Sequence, residues 1–216
     1  MKLNGANPMR KYVATNDPAE NTSELEGDSL WLQLGVDLSS RRIHVDMEVS
    51  ETMATIVIRS LLKMSENSNK PISIHLSTYG GEAYSCLAIY DAIQACPCPI
   101  TIYASGKIMS AGFIIFLAAN KRVAAPNTTF MIHSISSGTE GRIKDQEIDV
   151  AEGKRLNAVM LNIVATRTKM NLKWWTRQIA IHDRYMDVTQ AKEYGIIRDV
   201  EVKKPTKPKT AKKVVK

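Results

Sequence analysis

Three times between Arg42 and Ala119 the chain exchanges a two-residue hydrophobic rhythm for a helical one, and that exchange limits the folds open to it. Ile43, Val45, Met47 and Val49 alternate with Arg42, His44, Asp46 and Glu48, the period of a half-buried strand. Ser50 then has the character of an N-cap, and Met53, Ile56, Val57, Ser60, Leu61 and Met64 follow at helical spacing. Pro71 leads into a second strand, Ile72 to Leu76, and the turn Thr78-Tyr79-Gly80-Gly81 into a helix over 83–94 with Leu87, Ala88 and Ala92 inward. Cys96-Pro97-Cys98-Pro99 ends that helix; Ile100 to Ala104 reads as a third strand, Ser105 to Met109 as a loop, and Ala111 to Ala119 as a buried helix. Strands joined by connections of this length form right-handed βαβ units, so the fold class is α/β with a largely parallel sheet. Two short strands follow, Val123-Ala124 and Thr129 to Ile132. Beyond them come a long amphipathic helix from Lys144 to about Lys169, a shorter one near 172–180, and a last one from Val188 to Tyr194 closed by Gly195.

Charge is unevenly placed. The net charge of +7 equals the seven lysines between Lys203 and Lys216, so the remainder carries 22 charges of each sign. A basic tail rather than a basic face argues against nucleic acid as partner. Residues 1–29 are polar, with little to bury, and read as a mobile arm; 203–216, punctuated by Pro205 and Pro208, read as a solvated tail; the domain is expected over 30–202. No apolar run is long enough to span a bilayer, and Met1 to Arg10 has no signal-peptide character. Three cysteines do not make a disulfide framework, and a cytoplasmic setting is expected.

Four features carry chemistry. Ser110, in Gly106-Lys107-Ile108-Met109-Ser110-Ala111-Gly112, stands where a strand gives way to an apolar helix. There the free N–H groups and helix dipole favour negative charge. A serine at this place is also an ordinary N-cap, and the spacing is not the G-x-S-x-G elbow. Gly80-Gly81 allows unusual φ and close backbone approach, and the Gly81 N–H could serve an oxyanion, although a plain turn explains it equally. His133 ends a strand beside a Ser/Gly-rich loop, whereas His44 and His75 lie within strands and His182 precedes Asp183. Asp183 lies between two helical stretches, and as a functional residue it needs His133 nearby. Cys96-x-Cys98 with only Cys86 besides is short of a four-ligand zinc set. Trp31, Trp174 and Trp175 read as packing groups.

Taken in order, the segments from about Arg41 to Val200 resemble the proteolytic subunit of the Clp protease family, ClpP, a serine peptidase of crotonase-like fold. The carrying motifs are Thr78-Tyr79-Gly80-Gly81-Glu82, Ile89-Tyr90-Asp91, Gly106 to Gly112, Pro126-Asn127, Met131-Ile132-His133, Ser137-Gly138-Thr139-Glu140-Gly141-Arg142, Asp183-Arg184-Tyr185 and Glu193-Tyr194-Gly195. Relative to the family pattern, Tyr79 replaces a proline, Ile108-Met109 two small residues, Ala111 a methionine and Ser134-Ile135 a Gln-Pro pair.

The resemblance implies Ser110 as nucleophile, His133 as general base and Asp183 as the acid that orients it, with the backbone N–H groups of Gly81 and Ala111 as oxyanion hole. It implies hydrolysis of unfolded polypeptides inside a barrel of two stacked rings, seven copies each, with the long helix as the handle between rings, no cofactor or metal, and an AAA+ unfoldase as partner. Two rivals share the fold: an inactive ring subunit, and a crotonase-type acyl-CoA enzyme, which does not call for this Ser/His/Asp set.

Overall fold

The computed structural model describes residues 31–200 apart from 67, 137 and 139; the expected arm over 1–29 and tail over 203–216 lie outside the described residues. Eight strands form one sheet: β1 (Val36–Asp37), β2 (Arg42–Val45), β3 (Ile72–Thr78), β4 (Ile100–Met109), β5 (Lys121–Ala124), β6 (Thr129–Ile132), β7 (Arg184–Met186) and β8 (Asp199–Val200). Strands β2, β3, β4, β5 and β8 run parallel in that order, β1 closes the β2 edge antiparallel, and β6 pairs parallel with β4 and antiparallel with β7. The helices are α1 (Glu51–Ser65), α2 (Ala83–Ala95), α3 (Ala111–Ala118), α4 (Ile143–Arg167), α5 (Leu172–Gln178) and α6 (Val188–Glu193).

Alternation decides which face is covered. In β3, Ile72, Ile74, Leu76 and Thr78 are buried while the residues between them are only half-buried. The inward row meets α1, α2 and α3. On the outer face His44, His75 and Tyr103 stack across β2, β3 and β4, with ring centroids 4.9 and 5.2 Å apart. Helix α3 is buried along its whole length, between the sheet, α2 and α4. Phe113 and Phe116 are fully buried, Phe113 edge-on to Phe130 and Trp175, and burial of such a side chain is worth about 1.5–3 kcal/mol.

The observed elements correct four expectations. Strand β2 stops at Val45, and Val49 rejoins the sheet as a single bridge to Gly81. The core face of α2 is Ser85, Cys86, Ile89 and Ile93; Leu87 and Ala92 are half-buried and Ala88 is exposed. The stretch Ser105 to Met109 belongs to β4: from Leu76 to Thr78 β3 advances two residues while its partners on β4 advance four, from Ala104 to Ile108. That bulge, with Gly106 at φ +63°, interrupts the alternation that marks a strand in sequence. Finally, Arg184–Met186 form β7, three residues too short to show a period. Among the described residues no helix is long and apolar enough to cross a membrane.

Beyond the bulge, β4 changes partner. Its first half pairs with β5 through Thr101 to Ala104, and its second half with β6 through Lys107 to Met109. The C-terminal ends of β4 and β6 thereby lie side by side, and a site is built there.

Candidate active site

Ser110 follows β4 directly and precedes α3. Its N–H donates to Met131 O of β6 at 2.9 Å. Its backbone stands at φ +52°, ψ −121°, outside the common regions for a residue with a Cβ. Such strain persists only where the surroundings impose it. Here the imposing parts are the β4–β6 pairing on one side and the buried α3 on the other. Its side chain does not cap the helix; the hydroxyl is presented instead to His133, whose Nε2 lies 2.7 Å from Ser110 Oγ. His133 comes to that place because it follows β6 by one residue, two beyond the Met131 that receives the Ser110 N–H.

The glycine turn is fitted to the same point. A Cβ on Gly80 would stand 2.7 Å from Ser110 Cβ and 2.9 Å from Ala111 N, and one on Gly81 would stand 2.1 Å from Val49 O. Both residues have positive φ, +106° and +149°. The bridge to Val49 uses the Gly80 carbonyl and the Glu82 N–H. The Gly81 N–H takes no part in it, and Gly81 lines a cleft together with Ser110. Thr78 braces the turn, its Oγ1 accepting from Gly80 N–H at 3.1 Å and donating to Met47 O at 2.6 Å. The Ala111 N–H heads α3, where no carbonyl one turn back can serve it.

The cleft has a volume of about 180 Å³. One wall is Gly81, Glu82 and Ala83; the other is Ile135, Ser136, Asn157, Met160 and Leu161; Ile114, Ile132 and Ile179 make an apolar floor. Asn157 Oδ1 accepts from Ile135 N–H at 3.1 Å and so ties the segment after His133 to α4. No feature of the sequence distinguished Asn157 from any polar residue on a half-buried helix face.

Asp183 is placed differently. The antiparallel register of β6 and β7 pairs Phe130 with Met186, Met131 with Tyr185 and Ile132 with Arg184. The ladder ends there, with His133 immediately after β6 and Asp183 immediately before β7. Asp183 is exposed there, and among the described residues it makes no hydrogen bond to His133. Ser110 and His133 are therefore in contact, Gly81 and Ala111 line the same cleft, and Asp183, next to the last pair of the β6–β7 ladder, does not engage the ring. Cys86, Cys96 and Cys98 are free thiols; Cys86 lies beneath α3, where Sγ donates to Ala111 O at 3.2 Å and burial pushes its pKa up.

The chain matches the Clp protease family over residues 28–204. It is 30% identical over 166 residues to the ATP-dependent Clp protease proteolytic subunit 1 of Rhodopirellula baltica, covering 76% of this chain and 73% of that protein. To the ATP-dependent Clp protease proteolytic subunit of Deinococcus radiodurans it is 31% identical, covering 76% and 81%. Among solved structures, a point mutant of ClpP1 from Listeria monocytogenes superposes with a TM-score of 0.71 at 27% identity, over 80% of this chain and 95% of that one. Agreement over that span, in sequence and in a ClpP/crotonase-like fold, makes this chain a member of the Clp protease family, a serine-type endopeptidase of the proteolytic-subunit type.

Proposed function

We propose that Ser110, His133 and Asp183 are the catalytic residues and that Gly81 and Ala111 supply the oxyanion hole. The observation that carries the reading is the 2.7 Å approach of His133 Nε2 to a strained Ser110. A serine hydroxyl is a poor nucleophile at neutral pH and needs a base in contact. His133 takes the Ser110 proton as Oγ attacks the scissile carbonyl, and returns it to the leaving amine. The carbonyl oxygen, now negative, receives the Gly81 and Ala111 N–H groups; one such donor is worth about 3 kcal/mol. Water then hydrolyses the acyl-enzyme with His133 again as base. Asp183 holds the tautomer and steadies the imidazolium. Asp183 immediately precedes β7 as His133 immediately follows the β6 strand paired with it, and a change of side-chain rotamer is expected to bring the carboxylate to the ring.

The apolar floor of Ile114, Ile132 and Ile179 favours an apolar side chain on the acyl side of the cut. The substrates are unfolded polypeptides, the working form is a homo-oligomer of stacked rings, and an AAA+ ATPase delivers the chain; the names of the two curated relatives, ATP-dependent proteolytic subunits, support the last point. Support for assembly comes from α4. It is 25 residues, about 38 Å, long. Its C-terminal half is anchored in the core by Leu156, Leu161 and Val164. Its N-terminal half leaves Ile143 77%, Ile148 59% and Val150 44% exposed. Apolar surface of that kind is ordinarily covered by a partner.

Fluorophosphonate labelling with mass-spectrometric mapping tests the site: the adduct is expected on Ser110, and an adduct elsewhere, or none, overturns the reading. Ile148→Asp tests the assembly: native mass spectrometry is expected to find small species that cleave poorly, and an unchanged assembly would remove α4 from the interface.

A further inference from the structure

Tyr84 and Glu152 lie on the two helices, α2 and α4, that flank the cleft, just outside the residues that line it. Tyr84 follows Ala83, the last residue of the first wall, on the first turn of α2. Glu152 lies five residues before Asn157 on α4, about 7.5 Å farther along the helix from the apolar floor. Tyr84 Oη donates to Glu152 Oε1 at 2.7 Å and so bridges the two walls. Glu152 is held ready for it: Arg155, one turn on, grips both carboxylate oxygens at 2.7 and 2.6 Å. The Arg155 hydrogen bonds, and after them the Tyr84 phenol, hold the Glu152 carboxyl down to about 2, while the carboxylate raises the Tyr84 pKa. The acceptor is therefore charged, and the donor protonated, throughout the working pH range. Tyr84 is 62% exposed, with free space into which the phenol can swing.

Glu82 N–H donates to Val49 O and Glu82 O accepts from Cys86 N–H, so Gly81 is the residue of this turn left to pair with a polypeptide held at Ser110. We infer that the Tyr84–Glu152 bond is a latch across the acyl-side path: a short peptide ends before it, and a longer one must part the phenol from the carboxylate in order to bind. Tyr84 and Glu152 thereby set the length of chain the cleft accepts at rest. This rests on the assignment of Ser110 and His133 above.

The test compares two fluorogenic peptide amides with the same residue at the cut, one carrying two residues on the acyl side and one carrying six, with full-length wild type, Tyr84→Phe and Glu152→Gln. Tyr84→Phe keeps the ring and deletes the donor; Glu152→Gln keeps a neutral, weaker acceptor. For Tyr84→Phe the ratio of kcat/KM for the long over the short peptide is expected to rise about threefold to tenfold, the span of one net hydrogen bond, through a lower KM for the long peptide. Glu152→Gln is expected to raise it less. If the bond only braced the walls, KM would rise for both peptides and the ratio would stay level or fall; either outcome overturns the latch. Fluorophosphonate labelling of the same preparations separates the two readings: a Ser110 that labels normally with an unmoved ratio refutes the latch alone, and a wild type that does not label at Ser110 refutes the catalytic assignment and the latch with it.

Discussion

The two ends of α3 are buried alike and treated in opposite ways. At the C-terminal end the last three carbonyls, Leu117 to Ala119, are answered by side chains. Leu117 O accepts from Arg167 Nε at 2.9 Å and from Arg122, Ala118 O from Arg167 at 3.0 Å and from Gln94, and Ala119 O from Arg122 at 3.0 Å. Arg122 also donates to Arg167 O, Gly195 O and Ile196 O, so one buried guanidinium closes the ends of several segments at once. Burial lowers its pKa to about 10, and it remains charged because carbonyl dipoles replace the water it has lost. At the N-terminal end the Ser110 hydroxyl, which could have capped the helix, faces His133 instead, and Ala111 lines the cleft. A buried helix end left open is costly unless a ligand fills it. The contrast sets a structural end against the end proposed as reactive, without reference to any motif.

Four changes would break or sharpen that contrast. Ser110→Ala removes the nucleophile and leaves the helix intact: peptide turnover is expected to fall by about 10⁴ or more with unchanged circular dichroism, and a folded variant with wild-type turnover would refute the assignment. Gly81→Ala forces a Cβ to within 2.1 Å of Val49 O and swings the oxyanion donor away; kcat is expected to drop about 10²-fold or more, with KM less affected. Arg122→Met acts on the opposite end. It strands five carbonyl contacts and is expected to cost about 3 kcal/mol or more, and so to lower Tm by about 6–12 °C for a domain of this size. Calorimetry checks it, and a Tm within 2 °C of wild type would mean that the carbonyls find other partners. The smallest effect concerns the floor under the reactive end. Because burial raises the Cys86 pKa, iodoacetamide at pH 8 is expected to leave Cys86 unmodified in the native protein and to reach it on unfolding; native labelling would show that α3 lifts from α2.

Sequence alone determined the parts that depend on local pattern. The parallel βαβ order, the Ser50 N-cap of α1, the apolar α3 and the strand Thr129–Ile132 all follow from periodicity and capping, which short windows of residues express. The same order of Gly, Ser, His and Asp motifs carried the family, because those residues stand at strand ends, where backbone geometry leaves few alternatives. Tertiary structure decided the rest. The β4 bulge hides five strand residues from any two-residue period, β7 exists only because β6 offers it an edge, and Val164 is buried because the C-terminal half of α4 packs on the core. The 2.7 Å contact of Ser110 and His133, the pairing of Ile132 with Arg184 beside Asp183, and the Tyr84–Glu152 bridge join residues 23 to 68 positions apart. Such meetings are fixed by packing and strand register, not by any segment's own preference, and the sequence of each partner carries no mark of the other.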